Sequence, residues 1–136
     1  MEVGEGRSRE ATSALKALTE QADLLGLKSY SVECSLYLAQ ALINMKDYTG
    51  AKQELQRSLE RSEKLGLRMW LAKSHFLLAT ALRLTSNSAE ALRHYHEAVR
   101  LLDEIRKEPG ADKVTERADL KSIYQESSHE SQPAKG

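Results

Sequence analysis

His94-x-His96 is the pair best suited by residue type to hold a metal ion or to move a proton. On a helix its spacing defeats both uses, because residues two apart point about 200° away from each other around the axis and cannot share one ion. Both rings therefore read as solvent-facing. His75, beside Phe76, stands apart in the sequence and reads as a half-buried packing histidine. Cys34 has no His or Lys at helical spacing and reads as a small packed thiol, not a nucleophile. Glu54, Glu60 and Glu63 alternate with Arg57, Arg61 and Lys64, and Glu60 and Lys64 have the i,i+4 spacing of a helical ion pair. That pattern is a solvated face, not an acid–base site. The glycines are isolated, and none builds a phosphate-cradling loop. With no triad, metal cluster or phosphate loop, the sequence predicts a protein that is not an enzyme and needs no cofactor or metal.

Composition narrows the classes further. The 136 residues suit one domain, with 40% hydrophobic residues for a core and 29% charged residues for a surface. Two prolines, few β-branched residues and an abundance of Ala, Leu, Glu, Lys, Arg and Gln favour helix throughout. Basic and acidic residues balance at 20 each, which removes global electrostatic support for nucleic-acid binding. The single cysteine excludes an internal disulfide and a multi-cysteine metal site. No apolar run approaches the roughly 18 residues of a membrane helix, so no membrane insertion is expected. Residues 1–10 are charged and lack the apolar stretch of a signal peptide, which favours a cytoplasmic location.

The elements follow from spacing. Residues 1–7 read as a disordered start. Ala11, Leu15, Leu18, Ala22 and Leu25 share one helical face, predicting a helix over about 8–25. Gly26 stops it by taking the left-handed conformation, with Leu27 folding back on the last turn. Further helices are predicted over 29–45, 48–65, 69–85 and 88–107, with Asp47 as an N-cap and Asn87 to Glu90 in capping-box spacing. Pro109-Gly110 is a break, a weaker helix is predicted over 112–126, and 127–136 reads as a disordered tail. Tyr30 and Trp70 hold matching places and read as packing over the connector glycines, with an exposed aromatic contact as the alternative.

These elements repeat after 40 residues. Leu25-Gly26-Leu27 returns as Leu65-Gly66-Leu67, Leu38-Ala39-x-Ala41-Leu42 as Leu78-Ala79-x-Ala81-Leu82, and Ala11 as Ala51 and Ala91. A repeat of this length is one small unit stacked on copies of itself. The unit is a helical hairpin in which alanines 39, 79, 51 and 91 let helices cross closely. Leu38, Ala39 and Leu42 on the first helix, with Ala51, Leu55 and Ser58 on the second, and then Leu78, Ala79, Leu82, Ala91, Tyr95 and Ala98, resemble helices A and B of the tetratricopeptide repeat family over residues 8–107. Two departures stand out. The period is 40 where about 34 is standard, and Glu63 and Asp103 replace the proline that usually ends helix B. The lengthened repeat and the stretch from Glu97 through Pro109-Gly110 to Lys121 also look like C-terminal repeat arrays of bacterial multidomain signalling proteins such as serine/threonine kinases. No kinase motif is present.

The resemblance implies an all-α fold: an α-solenoid of antiparallel helical hairpins in a right-handed superhelix, with about two full repeats and a half-repeat at each end. It implies an inner wall made by the A helices, which places Glu33, Leu36, Gln40 and Ile43 from one helix beside Lys73, Phe76, Thr80 and Arg83 from the next. The expected function is a protein–protein interaction scaffold that holds a partner peptide or helix on that wall. Phe76 reads equally as a groove anchor or as packing between neighbouring A helices, and Leu36 reads as packing. Leu36 and Gln40 stand where carboxylate-clamping members carry Lys or Asn, so that activity is not expected. Helix 8–25 matches a B helix without its A helix. The chain is then a fragment of a longer array, or the half-repeat is covered by another copy, in a homo-oligomer or a regulatory module of a larger signalling protein.

Overall fold

The computed structural model describes residues 2–108, 110 and 118–130. Six α-helices follow one another: α1 (Glu2–Leu24), α2 (Lys28–Asn44), α3 (Tyr48–Leu65), α4 (Arg68–Leu84), α5 (Ser88–Arg106) and α6 (Ala118–Glu130). Each packs against the next, and α2 also meets α4, as α4 meets α6. The fold is an all-α helical repeat solenoid, with no strand among the described residues. The A-type helices α2, α4 and α6 lie side by side, and α1, α3 and α5 back them.

One backbone device makes all four tight connections. The residues at positions 26, 46, 66 and 86 take positive φ, 72°, 64°, 69° and 65° in that order. At each, the next amide reaches back to a carbonyl five residues earlier: Leu27 to Ala22 at 2.9 Å, Asp47 to Leu42 at 2.8 Å, Leu67 to Ser62 at 2.9 Å and Asn87 to Leu82 at 2.8 Å. This paired closure satisfies carbonyls that a helix end otherwise leaves open. Gly26 and Gly66 adopt the left-handed conformation without cost, whereas Lys46 and Ser86 do so against their Cβ. A turn every 20 residues fixes helix length, and so the 40-residue period.

The core is built from the repeated positions. Ala39, Ala51 and Ala79 are fully buried, Ala91 nearly so, and Leu38, Leu55, Leu78, Leu82 and Tyr95 fill the spaces between them. Ser58 and Ser74 meet at 2.8 Å across α3 and α4, and Ser74 also donates to the Trp70 carbonyl at 2.8 Å. These hydroxyls occupy fully buried positions, where an unpaired polar group costs about 1–3 kcal/mol. A second cluster, Ala72, Leu101, Leu102, Ile105 and Leu120, seats α6 on α4 and α5.

Several expectations are corrected here. Helix α1 begins at Glu2, ahead of the expected residue 8, because a helix already held by packed turns extends at one hydrogen bond per added residue. Helix α6 runs on to Glu130, past the expected end at 126, with Ser127 fully buried. The expected start of that helix at 112, Pro109, and residues 131–136 lie outside the described residues. Asp47 caps α3 as expected, accepting from the Gly50 amide at 3.0 Å. Asn87 makes no side-chain cap on α5, because its amide turns back to the Thr85 hydroxyl at 3.2 Å. Tyr30 is exposed, whereas Trp70 at the matching place is half-buried against the main core cluster.

Candidate functional site

The A helices leave a groove of about 330 Å³ between α2, α4 and α6. Glu33, Leu36 and Gln40 reach it from α2, and Lys73 and Phe76 from α4. Phe76 is half-buried and packs edge-on against Tyr95, with ring centroids 6.1 Å apart. It is thus both a packing residue and part of the groove wall. Leu36 is only 5% exposed and belongs to the core cluster beneath the groove floor. The Lys73 ammonium lies 4.7 Å from the Trp70 ring centroid, which orients the cation along the groove wall.

Three residues expected on this surface lie elsewhere. Ile43 is buried in the core beside Leu42 and Ala39, one turn below the groove. Thr80 turns its hydroxyl to the Phe76 carbonyl at 3.0 Å. Arg83 donates from Nε to the Tyr95 hydroxyl at 3.2 Å and pairs with Glu126 of α6 at 3.7 Å. Of the three, only Arg83 is drawn away by α6, through Glu126. Spacing missed Tyr37, Trp70, Leu77 and Ile123, all of which line the groove. Tyr37 is 57% exposed and sits one turn after Glu33 and just before Gln40 in the helical period. That 33, 37, 40 stripe was the available signal, and the apolar character of Leu36 drew attention away from it.

Among the histidines, His75 is half-buried and His96 exposed as expected, and His94 departs from the solvent-facing reading. His75 is not alone: its Nδ1 lies 2.8 Å from Nδ1 of His94, and the two rings stack with centroids 5.1 Å apart. His94 is half-buried at the α4–α5 contact, while His96 is exposed. Burial, reinforced by the neighbouring His94, pushes His75 down to about 4. Burial, with Arg93 nearby, lowers His94 as well. Cys34 is a buried free thiol. Among the described residues no three His, Cys, Asp or Glu side chains group to hold a metal, and no helix is long and apolar enough to cross a membrane.

The family model described as tetratricopeptide repeat matches residues 31–104, from α2 through α5. No curated protein and no solved structure matches the chain. The matched span covers more than half of the chain and holds both hairpins, with their buried alanines and left-handed connectors, so the chain belongs to the tetratricopeptide repeat family.

Proposed function

We propose that this protein is an interaction scaffold that holds a segment of a partner protein in the groove between α2, α4 and α6. Tetratricopeptide repeats generally mediate protein–protein interaction and are typically non-enzymatic. The observation that carries the reading is Tyr37, a large ring more than half exposed, beside Phe76 and Trp70 in a concave surface flanked by Glu33 and Lys73. An apolar side chain buried there contributes about 1.5–3 kcal/mol, and the two charges fix the segment's direction. The test is capture of partners from lysate with the intact chain and with a Tyr37→Ala, Lys73→Glu variant, followed by measured affinity for each captured protein. A partner bound at least tenfold more weakly by the folded variant supports the groove. Equal affinity for both proteins removes it.

A second reading rests on the other end of the molecule. Ala11 and Leu18 of α1 are exposed, whereas their repeat counterparts Ala51 and Ser58 are fully buried beneath neighbouring helices. Leu24, Leu25 and Tyr30, near the α1–α2 connector, are exposed as well. A second copy, or an upstream repeat of a larger protein, would cover this face of α1. Mass measured against concentration separates the two, since a monomer at high concentration eliminates self-association.

A further inference from the structure

Away from the groove, a pocket of about 560 Å³ opens where the α1–α2 connector meets the end of α3. Lys28, Arg61 and Lys64 line it, with Asp23 the single carboxylate and Leu65 and Ala22 supplying apolar wall. Asp23 is already engaged. Arg61 donates to it at 2.7 Å, Arg57 approaches to 3.7 Å and the Ser31 hydroxyl donates to it. Burial works to raise the Asp23 carboxyl, but the Arg61 and Ser31 hydrogen bonds and the two guanidinium charges hold it below the ordinary carboxylate range. Lys28 and Lys64 have no ion-pair partner among the described residues.

The second repeat shows what such a place accepts. Forty residues on, Lys28 becomes Arg68, Lys64 becomes Glu104 and Arg61 becomes the buried Leu101. Arg68 opens α4 as Lys28 opens α2, and both place a cation at the positive end of a helix, where it is least favourable. The chain relieves this at Arg68 with its own carboxylate, Glu108, in an ion pair. At Lys28 it supplies none. The first turn of α2 has no acidic residue, and its N-cap, Leu27, makes no side-chain bond.

We propose that this pocket is a second binding site, for an acidic peptide segment of a protein partner. One or two carboxylates meet Lys28 and Lys64, and an adjacent apolar side chain lies against Leu65. The site stands on its own geometry and does not depend on the groove. The test is fluorescence anisotropy at low salt with a labelled octapeptide of alternating Glu and Leu, beside its Gln-for-Glu counterpart. The intact chain is expected to bind the Glu peptide and to bind the Gln peptide at least tenfold more weakly. Lys28→Glu with Lys64→Glu is expected to weaken the Glu peptide by about tenfold or more with helicity unchanged, because neither ammonium supports the fold. Asp23→Asn, which removes the internal competitor, is expected to tighten it. Arg93→Glu with Lys107→Glu, on exposed positions elsewhere, is expected to leave it unchanged. Equal binding of the Gln peptide, an equal loss in that second double variant, or no binding of the Glu peptide at ~1 mM overturns the site.

Discussion

The two repeats share a backbone and differ in what they attach to it. Repeat one, α2 with α3, and repeat two, α4 with α5, bury alanines at the same places, 39 with 79 and 51 with 91. They also share the left-handed residues that close their turns, 26 with 66 and 46 with 86. The differences lie at helix contacts, groove walls and connectors. Ser35 and Glu54 of repeat one are replaced by the contacting pair His75 and His94, Tyr37 by Leu77, and Arg61 by Leu101. Positions that set helix spacing tolerate little change, because an interior packed to crystal density feels one methylene. Divergence falls both at helix contacts, as at the buried Ser35 and Leu101, and at the groove wall, as at Tyr37.

The largest effect is expected at a shared position. Ala79→Leu inserts three carbons where a fully buried alanine lets α4 approach its neighbours, and should destabilise the protein by about 1–3 kcal/mol in denaturant melts. An unchanged midpoint would break the assignment of Ala79 to a close helix crossing. Next is the diverged histidine pair. Its folded-state values lie below the ordinary 6.5, so the neutral form is favoured in the fold. The stability this confers is present above pH 6.5 and is lost as pH falls towards about 4, where the folded protein must take up a proton in a half-buried site. Allowing for partial exposure, the loss is about 1–2 kcal/mol. His75→Ser, the residue of repeat one, should flatten that part of the stability–pH curve, and a parallel curve would place the acid sensitivity elsewhere.

The smallest effects lie in the turns, and they are opposite in sign. Gly66→Ala forces a Cβ into φ 69° and should cost about 1 kcal/mol even though nothing crowds the position. Ser86→Gly relieves the same strain and should gain about 0.5 kcal/mol, once the greater freedom of glycine in the unfolded chain is subtracted. Thermal melts of both variants measure the difference. Equal and same-signed shifts would mean that the two kinds of turn are not held alike.

Much of the fold was legible because it is periodic. The expected spans 29–45, 48–65, 69–85 and 88–107 meet helices running Lys28–Asn44, Tyr48–Leu65, Arg68–Leu84 and Ser88–Arg106. Glycine marked two of the four turns. Lys46 and Ser86 hid the other two, since neither residue type announces a left-handed backbone. The groove was legible only in part. Glu33, Leu36, Gln40, Lys73 and Phe76 follow from the A-helix register, but Ile123 reaches the groove from α6, whose place does not follow the 40-residue period. The His75–His94 contact depends on how α4 and α5 are phased across their interface, and spacing within one helix carries no information about that.

The central claim, that partners engage the A-helix groove, is tested most directly by site-specific photo-crosslinking. A benzophenone amino acid would replace Tyr37 in the groove and, in a separate protein, Gln53 on the exposed side of α3. The account predicts a discrete crosslinked partner from position 37, absent from position 53 and lost when Lys73→Glu is added. A partner crosslinked equally from both positions, or from position 53 alone, would contradict it.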